Sequence, residues 1–185
     1  MTERVRRLLP ATLSGEQRDL YDAITGGPRS QGPQHFPLTR ADGSLRGPFN
    51  AFLLAPELGG ALQTLGAAIR YRGSLSDRAR EIAILLVATH WDSAFEREAH
   101  EAVGAAAGLT AQELEALRIS DTTVFAGDEA LVATLTSRLL EGDLDDVSWE
   151  EASVSLGPAA VFELTVLVGY YASLALQLRV FRVLP

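Results

Sequence analysis

The sequence contains no cysteine and no lysine. The first absence excludes thiol nucleophiles, thiolate metal sites, disulfide exchange and cysteine-held iron–sulfur clusters. The second excludes Schiff-base chemistry, covalent attachment of pyridoxal phosphate and the lysine of a phosphate-binding loop. Arginine is the whole basic complement, and with 24 acidic residues against 16 arginines the formal net charge is -8. Phosphate binding needs a basic face, so no nucleic-acid partner is expected. Internal repeats and low-complexity tracts are also missing, and few segments alternate with the period of two that strands require. The expected class is therefore all-α.

The length, 185 residues, suits one domain spanning 1–185 with a core that needs neither disulfide nor structural metal. The opening stretch MTERVRRLLPATLSG has no apolar run of signal-peptide length before Pro10, so a cytoplasmic location is expected. Residues 159–178 are nearly apolar and long enough to span a bilayer. Glu163 interrupts that run, and Arg179 and Arg182 follow it closely. The expected reading is a helix buried by the core or by neighbouring subunits, with no membrane partner.

Helix starts are marked by boxes in which an N-cap hydroxyl and the side chain three residues on satisfy orphan amides reciprocally. They fall at Ser14 with Gln17, Ser93 with Glu96, Thr110 with Glu113, and Ser148 with Glu151. The first opens a helix over 15–25. Residues 1–46 form an N-terminal helix and a long Gly/Pro-rich loop, a flap or a disordered segment, with His35 inside it. Arg40 in that loop can clamp an anion, though solvation is the plainer reading. Pro48 and Pro56 suit first helical turns, and Leu58, Leu62, Leu65 and Ile69 carry a helix over 57–71. Ser76 caps the next helix, Asp128 caps one to Leu140 that Gly142 stops, and Gly157 with Pro158 opens the last.

The chemistry-bearing residues cluster in 81–108, EIAILLVATHWDSAFEREAHEAVGAAAG. The box at Ser93 implies that one helix ends near Trp91 and a second begins, so a short turn joins two antiparallel helices. Glu96 and His100, four residues apart, share one face of the second helix. The plain reading makes Glu96 a cap, Glu81 a first-turn charge favoured by the helix dipole, and Trp91 core. The sharper reading is an acid/base site of Glu81, Glu96 and His100. A metal site of His90, Glu96 and His100 has acceptable ligand types but no familiar spacing such as H-E-x-x-H, so no metal is expected.

The glutamate, then twelve residues to Ser93, three to Glu96 and four to His100, resembles the carboxymuconolactone decarboxylase family, which includes the AhpD-like peroxidase-associated proteins. In the AhpD-like branch the two middle positions are cysteines. Here they are Ser93 and Glu96, and the segment from Ser93 to His100 is similar to the G-x-Y-E-x-x-x-H of the decarboxylase branch. GPFNAFLLAPELG at 47–59 and ELTVLVGYYASLALQLRVFRV at 163–183 are similar to two further blocks of the family.

The resemblance implies an all-helical subunit assembling as a homotrimer or homohexamer, with sites near subunit contacts. It also implies a cofactor-free acid/base lyase, a decarboxylase first, acting on a small carboxylate or lactone. His100 would protonate carbon, Glu96 would orient it or share the proton, and Glu81, if close, would raise one carboxyl pKa by repulsion. His90 and Trp91 would line the pocket, with Arg72 or Arg46 holding the substrate carboxylate. Isomerisation, lactone opening and dehydration need the same proton movements. A non-catalytic binding or scaffold protein of this fold is the alternative. A thiol peroxidase is excluded by the missing cysteines.

Overall fold

The computed structural model describes residues 3–27, 30–31 and 35–183. Among them the regular structure is helical, apart from one isolated antiparallel bridge between Thr39 and Leu45. The chain forms two compact units, residues 1–72 with 176–185, and residues 73–175.

In the first unit, α1 (Gly15–Gly26) begins with the expected reciprocal box between Ser14 and Gln17. Pro48 and Pro56 open α2 (Pro48–Phe52) and α3 (Pro56–Tyr71), where a missing amide hydrogen costs nothing. The helix marked by Leu58, Leu62, Leu65 and Ile69 forms as expected, and of these four Ile69 is the buried one. Leu58 is 69% exposed, while Gly59, Gln63, Gly66 and Ile69 are buried. The reason is close approach: a Cβ on Gly59 would lie 2.3 Å from the Phe52 carbonyl oxygen, so the small residue faces inward. Within the loop, residues 28, 29 and 32–34 lie outside the described residues. From Leu38 to Arg46 it is a tied turn: Arg46 N–H donates to the Leu38 carbonyl at 2.9 Å, and Arg40 N–H to that of Ser44 at 2.8 Å. The Arg40 guanidinium, considered above as an anion clamp, donates to the Leu45 carbonyl and pairs with Glu3 at 3.0 Å.

The second unit is built on α4 (Asp77–His90), which is buried on every side from Ala79 to Ala88. Ser76 caps it, accepting from Ala79 N–H. An all-round apolar helix must be surrounded. It packs against α5 (Ala94–Ala106), α6 (Ala111–Arg118) and α7 (Gly127–Glu141). Ile82, Leu85 and Leu86 meet Leu109, Leu117, Phe125 and Ala133 in a continuous core. Arg78 ties the surrounding elements, bonding Glu113 at 2.7 Å, Glu129 at 2.8 Å and the Gly108 carbonyl.

Two expected caps are corrected. The helix α8 (Asp146–Ser155) starts one residue after Asp145, whose carboxylate takes the Ser148 amide at 2.7 Å, so Ser148 is inside the helix rather than before it. Asp128 likewise lies in the first turn of α7, behind an Ala126 N-cap that makes no side-chain bond. Gly142 stops α7 as expected, in the left-handed conformation at φ 109°.

The last helix, α9 (Pro158–Phe181), belongs to the second unit as far as Ala175. By length and composition it is long and apolar enough to cross a membrane, and half of its most apolar window is buried. Glu163 is no stray charge in it. Its carboxylate accepts from Ser74 N–H at 2.6 Å, the Ser74 hydroxyl at 2.7 Å and Leu75 N–H at 3.3 Å, ahead of α4.

Candidate functional site

The turn between α4 and α5 is set by backbone bonds. Trp91 is the C-cap of α4, Asp92 takes the left-handed conformation at φ 49°, and Ser93 N–H donates to the Ala88 carbonyl at 2.8 Å. With Asp92 N–H donating to Thr89 at 3.1 Å, this is a Schellman closure, and aspartate is among the residues that tolerate its left-handed position. The expected capping box at Ser93 therefore does not form. Its amide is already taken by Ala88, and the Ser93 side chain makes no cap bond.

Glu96, released from capping, is buried at 3% exposure. Neither carboxyl oxygen has a hydrogen-bond partner among the described residues. Burial pushes its pKa up to about 7; the Ser93 hydroxyl works in the opposite direction, though it makes no bond of ordinary length and angle. The cause is desolvation, where repulsion by Glu81 was expected. A carboxyl so placed is a proton donor and acceptor near neutral pH.

His100 sits one turn along the same face of α5, but the carboxylate that holds it is Glu81. Its Nδ1 lies 2.6 Å from Glu81 Oε2, with Glu81 0% and His100 9% exposed. The turn thus brings together two residues nineteen positions apart. The carboxylate bonded to the imidazole is Glu81, where Glu96 was expected to orient the ring or share its proton. Gly104, one further turn along α5, lies beside this pair: a Cβ on it would be in ordinary contact with Glu81 Cβ at 3.7 Å, and its tight neighbour would be Leu109 Cδ1 at 2.8 Å.

Two participants escaped the sequence reading. Arg80 is 8% exposed; its Nε lies 3.5 Å from Glu81 Oε1, and its Nη2 donates to Asp77 at 2.7 Å. Tyr171 of α9 presents its ring edge-to-face with His100, 5.1 Å between centroids, and with Tyr170 at 5.3 Å. An arginine directly before a glutamate in an otherwise apolar helix was the available signal for the first. For the second, only a tyrosine pair inside an apolar run hinted at more than packing.

His90 is exposed at the end of α4 and Trp91 is half-buried, their rings edge-to-face at 6.1 Å, so His90 faces solvent where a pocket wall was expected. In the first unit, the Arg46 guanidinium lies over the Phe36 ring, 4.4 Å from its centroid. Arg72 is exposed at the C-cap of α3, and His35 is exposed in the loop. Among the described residues no group of three acidic or histidine side chains is arranged to hold a metal ion. The chain matches no family model, no curated protein and no solved structure.

Proposed function

We propose that the protein is a cofactor-independent acid/base lyase, a decarboxylase of a small organic acid or lactone. One observation carries the reading: a buried carboxyl without hydrogen bonds among the described residues, Glu96, stands one helical turn from an imidazole that a second buried carboxylate grips at 2.6 Å. Leaving a buried carboxyl unsatisfied is costly, and a stability-driven sequence has little reason to keep one.

In the reaction, the carbon–carbon bond to the carboxylate breaks, CO2 departs, and the electron pair passes into an adjacent carbonyl or unsaturated system. The neutral form of Glu96 passes its proton to Nε2 of His100, whose Nδ1–H is held by Glu81; the imidazolium then protonates the carbon through Nε2, and Glu96 regains its proton from solvent. Isomerisation and lactone opening draw on the same residues. The substrate would be a small carboxylate or lactone, and the active form a homotrimer or homohexamer in the cytoplasm.

A panel of unsaturated lactones and β-keto acids, assayed for CO2 release and solvent deuterium uptake, tests this. Release with deuterium at the former carboxyl carbon is the expected result. Deuterium uptake without CO2 would replace decarboxylation by isomerisation, and neither signal across the panel would sink the lyase reading.

A further inference from the structure

Arg80 has an arrangement that a surface salt bridge does not explain. Its partner through Nη2, Asp77, has a side chain 76% exposed, and such pairs contribute little. An arginine serving Asp77 alone would extend its head toward water, yet this guanidinium is folded inward with a side chain only 9% exposed. Inward is where Glu81 lies, wholly enclosed, with Arg80 Nε 3.5 Å from Oε1 and His100 Nδ1 2.6 Å from Oε2.

We propose that Arg80 is a positioning residue that keeps Glu81 ionised, and so keeps the imidazole proton of His100 on Nδ1 and the lone pair on Nε2. A carboxylate removed from water reverts to its acid unless a positive charge compensates it. With Arg80 present, Glu81 Oε2 accepts from Nδ1–H. With Arg80 neutralised, Glu81 takes up a proton and donates it toward Nδ1. The imidazole proton then moves to Nε2, and the ring presents the wrong nitrogen as its base. Arg80 thus acts on the chemistry through two intermediaries, by choosing a tautomer. This rests on the reading of His100 as a working base and acid.

The test is nitrogen-15 NMR of the imidazole rings in the labelled full-length protein at about pH 8, above the ordinary imidazole range. His100→Gln assigns the His100 signals, and His35 and His90 serve as internal controls. In the unaltered protein, His100 shows a protonated Nδ1 and a pyridine-like Nε2. Arg80→Met shifts the majority to the Nε2–H tautomer and leaves His35 and His90 unmoved, and Arg80→Lys restores the original pattern. If Arg80→Met does not fold, Arg80→Gln carries the same expectation.

An Nε2–H tautomer in the unaltered protein, or an unchanged tautomer in the folded neutral variant, overturns the proposal. The measurement needs no substrate. A tautomer flip beside an inactive substrate panel would sink the lyase reading and leave Arg80 its role; turnover beside an unmoved tautomer would do the reverse.

Discussion

Glu81 on α4 grips His100 on α5 from across a three-residue turn, and Glu96, a near neighbour of His100 in sequence, has no hydrogen-bond partner among the described residues. The two glutamates are chemically alike and equally enclosed, yet they stand in different electrostatic company. Glu81 has a guanidinium and an imidazole against its oxygens. Glu96 has burial and a poorly aligned hydroxyl, and tends to keep its proton. Separating two carboxyls in this way sets a carboxyl tied to a guanidinium and an imidazole beside one that burial inclines to keep its proton.

Removing either mobile-proton group should abolish turnover without disturbing the fold. Glu96→Gln and His100→Ala are each expected to lower the rate on any accepted substrate about 10²- to 10⁴-fold, the usual worth of a positioned acid or base. Circular dichroism and light scattering should stay as in the unaltered protein. Full activity in either variant removes that residue from the mechanism.

The same Glu96 should make stability fall as pH rises. Its folded pKa, about 7, lies above the ordinary 4.5, so the folded state holds a proton that the unfolded chain releases. The protein is most stable below the unfolded value, loses stability as pH rises through the folded one, and levels off beyond it. The full swing is on the order of 3 kcal/mol. Urea titrations at acid and mildly alkaline pH should show this loss in the unaltered protein and its absence in Glu96→Gln, which should be the more stable of the two at high pH.

Two helical glycines should respond in opposite directions. A Cβ on Gly104 would lie 2.8 Å from Leu109 Cδ1 and 3.6 Å from Leu85 Cδ1, so Gly104→Val should cost about 2 kcal/mol or more by overpacking beside Glu81. Gly169, in α9, has nothing within 4 Å of that position among the described residues. Gly169→Ala should gain about 0.5–1 kcal/mol from helix propensity. Chemical denaturation of the pair checks both signs at once.

Assembly should be visible in solution. Val147, Val154 and Phe162 are 77%, 77% and 71% exposed in the second unit, and Trp149 is 46% exposed. The expected result is a homotrimer or homohexamer by light scattering, with Phe162→Asp shifting it toward smaller species. A clean monomer for the unaltered protein would contradict the proposed assembly.

What the sequence revealed was mostly local. Ser14 and Thr110 cap their helices as their spacing implies, because a hydroxyl and a carboxamide or carboxyl three residues apart need no distant help. Ser93 carries the same local pattern and fails, because the Schellman closure commits its amide to Ala88 first. The spacing of Leu58, Leu62, Leu65 and Ile69 marked α3 correctly, but which face is buried was set by the close approach of Phe52 to Gly59, which spacing does not encode. The pairing of Glu81 with His100 depended on the handedness of one turn at Asp92. Tyr171, seventy-one residues beyond His100, depended on a contact that no local pattern encodes.

The Glu163 carboxylate that ties α9 to Ser74 and Leu75 also acts as a ruler for the site. It stands eight residues before Tyr171 on one rigid rod, so roughly 12 Å separate the two at 1.5 Å per residue. Helices that slip past one another do so by whole turns of about 5.4 Å. Any such slip would unfasten Glu163 from the start of α4 and carry Tyr171 off the His100 ring together. Latch and aromatic wall are thereby indexed to each other, and a helix smooth enough to slide is given a single notch.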